Sequence, residues 1–196
     1  MALDIKPTRS ELINLKRRIK QTSSGYNLLK MKRDGLFHEF RTLLSEMIAA
    51  REDLVGTYRE SLETIALASS IEGGMAVKSA AVAALTHPEV VVSRRNIMGV
   101  VVPKVEGTNL VSTVESRQTG LIGGSPYIDE AADSYSTLIQ AIVKAAEMEA
   151  TLKRLLAEIE ATKRRVNALE FVVIPEIRLE EMEREETFRL KRFKNK

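Results

Sequence analysis

The chain has 196 residues with 44% hydrophobic and 29% charged residues, but only 5% aromatics, no Trp and no Cys. Little aromatic bulk beside abundant aliphatic and charged residues points away from a ball-like core and towards long helices or a coiled coil; the absence of Cys excludes disulfides and thiolate chemistry. A net charge of +3 hides a strong asymmetry: residues 1–33 carry nine basic and two acidic residues, 189–196 carry five basic and none acidic, and 34–188 is net negative.

The first predicted element is a helix over 8–72. Thr8 and Glu11 have capping-box spacing, and Pro7 before them cannot extend a helix backwards. From there a seam steps alternately by three and four: Leu12, Leu15, Ile19, Thr22, Tyr26, Leu29, Arg33, Leu36, Phe40, Leu43, Met47, Ala50, Leu54. Eleven of these thirteen positions are apolar, which is the 3.5-residue repeat of a left-handed coiled coil. Arg33 reads either as a snorkelling side chain or as a register-setting one. Glu72 followed by Gly73 and Gly74 supplies a stop signal. A helix of this extent is roughly 95 Å long.

Residues 73–128 form the second predicted segment, a small Gly-rich head. The stretch 72–128 holds seven of the ten glycines and three of the five prolines. MAVKSAAVAALT (75–86) reads as a short Ala-rich helix. EVVVSRRNIM (89–98) and GVVVPKVEG (99–107) read as short β-strands of a hairpin, with His87-Pro88 and Gly99 bracketing the first and Pro103 demoting the second to an edge or broken strand. QTGLIGGSP (118–126) reads as loop.

The third segment, 129–196, is again helical. Ser125-Pro126 offers an N-cap and a first-turn proline. A matching seam follows: Leu138, Ala141, Ala145, Met148, Leu152, Leu155, Ile159, Thr162, Val166, Leu169, Val173, ten of eleven apolar. Pro175 removes a hydrogen bond from the helix interior, and a continuing but bent helix is expected there because EIRLEEMEREETFRLKRF remains helical in composition. Two helices with matching seams and a short middle segment pair antiparallel, giving a mainly α fold: a long two-helix coiled coil with a hairpin-bearing head. That arrangement brings both basic ends to one tip.

The sequence carries little that resembles catalytic or ligand-binding chemistry. Walker-type and dinucleotide-binding glycine patterns are missing. His38 and His87 lack the matching His, Cys or paired carboxylate of a metal or catalytic site. The run Glu180, Glu181, Glu183, Glu185, Glu186 reads as a solvated helix face. No catalytic, cofactor or metal residue is therefore expected. Lys163-Arg164-Arg165 either binds a partner's carboxylates or pairs with Glu158, Glu160 or the facing helix. The basic ends need negative charge from a partner; with Tyr26 and Phe193 as their few aromatics, nucleic acid is a poor fit, and an acidic or polar protein collar is the other candidate. The longest uncharged stretch, 118–128, has 11 residues, too short to span a bilayer, and MALDIKPTRSEL lacks the apolar core of a signal peptide.

Two pairs of strings carry a family resemblance. PTRSELINLKRRIK (7–20) with GYNLLKMKRD (25–34), and RRVNALEFVVIPEI (164–177) with EREETFRLKRFK (183–194), resemble the two terminal helices of the D subunit of the archaeal and vacuolar-type rotary ATP synthase/ATPase. One departure accompanies the match: the family carries roughly two further helical turns between the VVIP and EREETF strings, where IRLEEM joins them directly here. The resemblance implies a central rotor shaft without nucleotide site or cofactor. Its helices would reach into a hexamer of catalytic A and noncatalytic B subunits, the F subunit would bind along it, and the C subunit would link it to the membrane ring. It would lie on the cytoplasmic side of the membrane, peripheral and without insertion. Under this reading Arg9, Lys16, Arg17, Arg18, Lys20, Arg164, Arg165, Arg189, Lys191 and Arg192 contact the hexamer. The alternative is a free-standing coiled-coil binding module such as a prefoldin-like holdase, which also joins two long helices through β-hairpins; a nucleic-acid-binding coiled coil is a further one, against which counts the lack of a base-reading motif.

Overall fold

The computed structural model describes residues 8–83, 89–108 and 125–194. The loop expected at 118–126 lies outside them except for Ser125 and Pro126, as do His87 and Pro88. The elements in chain order are α1 (Arg9–Glu72), α2 (Gly74–Ala83), the strands β1 (Glu89–Ile97) and β2 (Val100–Thr108), α3 (Pro126–Ala168), a π-helical turn (Leu169–Val173) and α4 (Ile174–Lys194). They divide into two units, one comprising 1–38 and 156–196, the other 39–155.

Local chemistry sets the element boundaries. At the start of α1 the Glu11 backbone N–H donates to Thr8 Oγ1 at 3.4 Å. At its end Gly73 adopts φ +85°, the left-handed C′ conformation that a glycine takes without steric cost. The α3 start uses Ser125 differently from an ordinary N-cap. Its carbonyl accepts from Ile128 and Asp129 N–H at 3.0 and 3.2 Å, while its hydroxyl is buried without a partner among the described residues. Pro175 does not break the helix. The turn before it loosens instead: Ile174 N–H donates to Leu169 O in an i→i+5 bond. One inserted residue of this kind accommodates a missing donor and a crowding ring.

In the first unit α1 runs antiparallel to the chain from Leu156 onward. Lys32 meets Glu158 at 3.1 Å and Lys16 meets Glu185 at 2.7 Å, so rising numbers on one helix meet falling numbers on the other. Leu15, Leu36, Thr162, Val166 and Ile177 are buried between them. Leu12, Ile19, Tyr26, Leu29, Ile159, Leu169 and Val173 are half-buried.

The second unit repeats the scheme. Arg51 acts on the Glu149 carboxylate, and Ser61 Oγ donates to the Ser134 carbonyl at 3.2 Å, again in opposite senses. Leu138, Leu152 and Leu155 are buried; Phe40, Leu43, Met47, Leu54 and Met148 are half-buried. Past Leu54 the 3–4 stepping continues in small and hydroxylated residues: Thr57, Ser61, Thr64, Ala68. Ser61 and Ala68 are almost fully buried. A hydroxyl that reaches the opposite helix's backbone carbonyl marks a close approach that Leu or Met would block.

The hairpin pairs antiparallel from Glu89↔Thr108 to Ile97↔Val100. Its two-residue turn has Met98 at φ 50° and Gly99 at φ 85°, both positive as a type I′ turn requires. Asn96 Oδ1 accepts from Gly99 N–H at 2.8 Å and holds the turn. β2 continues through Pro103. Pro103 lies opposite Arg94, three pairs from the turn-closing pair, where ladder alternation directs the backbone nitrogen away from the partner strand. Both strands of a two-stranded sheet are edges, so the proline costs no ladder bond.

The seam predicts its own mutational profile. Leu36→Ala removes a side chain with 0% exposure and should destabilise the fold by about 2–5 kcal/mol. Leu28→Ala, 64% exposed on the same helix, should stay within about 0.5 kcal/mol. Chemical denaturation of both variants checks the contrast.

Candidate interaction surface

The start of α1 and the end of α4 lie side by side in the first unit. Glu11 and Lys16 on α1 reach Arg184 and Glu185 on α4, at 3.5 and 2.7 Å. The basic residues that flank these pairs are therefore gathered at one end of that unit. Arg9, Arg17, Arg18 and Lys20 on α1 and Arg189, Lys191 and Arg192 on α4 are all exposed. They make no ion pair among the described residues. Lys16 is different: it bridges to Glu185 and, at 3.8 Å, to Glu181. Its charge is partnered within the unit while half of its side chain stays exposed. Arg164 and Arg165 are exposed on α3, as is Lys163. Of the partners open to that triplet, Glu158 is engaged by Lys32 instead.

The Lys16–Glu185 contact shifts both groups. The hydrogen bond from Lys16, and then its charge, hold the Glu185 carboxyl below the usual carboxylate value, with Arg189 adding weakly. The same bond and charge raise Lys16. Arg184 is the most enclosed charge at this end, its side chain 14% exposed between Glu11 and Glu180. Its Nε is buried without a partner among the described residues.

Other surfaces carry less chemistry. No group of three or more His, Cys, Asp or Glu among the described residues is placed to hold a metal ion. A cleft of about 570 Å³ in the second unit is lined by Thr57, Glu60, Ser61, Pro126, Asp129, Glu130, Asp133, Ser134 and Thr137. Its carboxylates and lack of a lining Lys or Arg suit no phosphate ligand. No helix among the described residues is long and apolar enough to cross a membrane.

An exposed basic end on an antiparallel helix pair in one unit, and a small β-hairpin that follows α1 and precedes α3 in chain order, are the features that the terminal strings anticipated. The ATP synthase D-subunit family matches residues 11–195. The chain belongs to that family. Its relatives include the D subunit of the A-type ATP synthase of Methanosarcina acetivorans, 56% identical over 200 aligned positions that cover 97% of this chain and 96% of the relative. The D subunit of Methanoregula boonei is 52% identical over 204 positions, 99% of this chain and 98% of the relative. That of Haloquadratum walsbyi is 45% identical over 205 positions, 100% of this chain and 88% of the relative. As a member of this family, the chain is a component of the A/V-type ATP synthase, and the prefoldin-like reading is not supported. The sequence pointed to the basic residues but missed the interhelical carboxylates that neutralise Lys16. The signal was present: Glu181 and Glu185 are four apart and share one helix face.

A carboxylate with a depressed folded pKa adds stability above its unfolded value near 4.5, and that stability is lost as pH falls through the lower folded value. The parent chain should therefore lose more melting temperature between pH 7 and pH 3 than Glu185→Gln does. Thermal melts at the two pH values check the difference; parallel losses would remove the pair from the acid response.

Proposed function

We propose that the chain is the central rotor shaft of an A/V-type ATP synthase, itself noncatalytic, which transmits torque between a catalytic hexamer and the membrane ion-translocating ring. The observation that carries this reading is the full-length membership of the D-subunit family together with the helix-paired, hairpin-bearing architecture. The A and B subunits would surround the basic end, the F subunit would bind along the helices, and the C subunit would join the other end to the ring. The protein would then work on the cytoplasmic side of the membrane as a peripheral component.

Physical chemistry supports such a role. Interlocked side chains at a 3.5-residue repeat resist slippage of one helix past the other. Cross-helix ion pairs at both Lys16 and Lys32 pin the register of the first unit. A shaft must also present different faces to equivalent catalytic subunits. Arg17, Arg18 and Lys20 cluster within one turn of α1, and Arg164 and Arg165 sit on α3, so positive charge is distributed unevenly around the unit. Unpaired exposed cations of this kind steer association with acidic or polar loops and fix orientation more than they add raw affinity.

Charge reversal tests the assignment. The triple variant Arg17→Glu, Arg18→Glu, Lys20→Glu should assemble with the A and B subunits at least about tenfold more weakly at low salt. It should also uncouple ATP hydrolysis of the reconstituted complex from ion movement. Unchanged assembly and coupling would remove these residues from the interface.

A further inference from the structure

Past Ile177, α4 turns the wrong face to α1. The residues on its inward side are Glu180, Glu181, Arg184 and Glu185, all half-buried. Opposite them α1 still presents an apolar seam, with Leu15 buried and Leu12 and Ile19 half-buried. The enclosed Arg184 Nε, without a partner among the described residues, fits the mismatch, since a buried donor without an acceptor carries a desolvation cost. Meanwhile α4 has an apolar stripe of its own, and it points outward: Leu179, Met182, Leu190 and Phe193 are 61%, 60%, 65% and 79% exposed. Their spacing is close to the stepping of a coiled-coil seam. At about 100° per residue the stripe lies about half a turn around the helix from Ile177 and Arg184.

The relatives carry positions that this chain lacks. The alignment to the Haloquadratum walsbyi protein runs to 205 positions and covers the whole of this 196-residue chain, so at least nine internal positions have no counterpart here. Haloarcula marismortui gives the same length. Nine helical residues make about two and a half turns. Restoring them between Ile177 and Leu179 would rotate everything downstream by about half a turn, and would carry Leu179, Met182, Leu190 and Phe193 onto the face that Glu181 and Arg184 now occupy.

We infer that this chain lacks a nine-residue stretch of helix just after Ile177, and that the loss has turned the interhelical seam of α4 outward. α4 is held to α1 by a charged layer in place of an apolar one, and its former packing face forms the exposed side of the basic end. The inference stands on helix phase and does not depend on the rotor reading.

Two insertions separate phase from length. Nine helix-forming residues placed between Arg178 and Leu179 should turn the stripe inward; seven, about two turns, should leave it outward. Because the chain has no Cys, Met182→Cys reports directly through its rate of maleimide labelling. Labelling should be fast in the parent length and with the seven-residue insertion, and at least about tenfold slower with the nine-residue one. The nine-residue insertion should also raise the melting temperature by about 5 °C or more. Equal labelling with seven and nine residues would overturn the inference. So would protection of Met182→Cys in the parent length, a measurement that needs no insertion to fold; Ile177→Cys is its buried control.

Discussion

Neither long helix can leave its stripe of Leu, Ile and Val in water, and everything else in the molecule follows from that constraint. Each large aliphatic side chain removed from solvent contributes roughly 1.5–3 kcal/mol, whereas an isolated helix gains little from propensity alone. Pairing is therefore obligatory; the 3.5-residue repeat favours a left-handed supercoil, and the cross-helix contacts show that the pairing is antiparallel within each unit. The repeat also explains why so few aromatics suffice. A narrow seam is filled by side chains interlocking across two helices, and a Trp or Phe would be too bulky for most of its positions. Near Ser61 and Ser134, where a hydroxyl reaches the facing backbone, the seam shrinks to hydroxyls and alanines, and a hydrogen bond to a carbonyl replaces aliphatic contact.

A seam buries one stripe and leaves the remaining surface to electrostatics. The net charge of +3 dissolves into a basic end and an acidic remainder, and part of the basic end is consumed internally. Lys16 and Arg184 are held by carboxylates, while Arg17, Arg18, Lys20 and the last turns of α4 stay exposed. The distinction matters for function. Paired charges set how the two helices meet; unpaired ones are available to a surrounding protein. The π-helical turn before Pro175 is the other departure from a plain coiled coil, and it stands just upstream of the point where α4 loses its apolar inward face.

Much of the fold was legible in the sequence because its determinants are local and periodic. The seam from Leu12 to Leu54, the Thr8 cap, the Gly73 stop and the hairpin turn at Gly99 each rest on residues within a few positions of one another. The seam beyond Leu54 was not legible, since Thr57, Ser61 and Thr64 do not register in a count of apolar residues. Nor was the phase of α4: Leu179, Met182, Leu190 and Phe193 show a stripe, but which way it faces depends on the number of residues separating it from Val166 and Ile177. The Lys163-Arg164-Arg165 triplet was ambiguous for a similar reason, because only the facing helix shows that Lys32 already holds Glu158. The exposed contacts with other proteins of the complex depend on chains outside this one.

The proposed role makes a single chain of this kind the axis of a larger machine. The most direct test is native mass spectrometry of the complex formed when the chain is expressed together with A and B subunits. One copy for each hexamer of A and B subunits is the expected result, as an axis requires. Several copies per hexamer, or a hexamer that forms without retaining the chain, would contradict it.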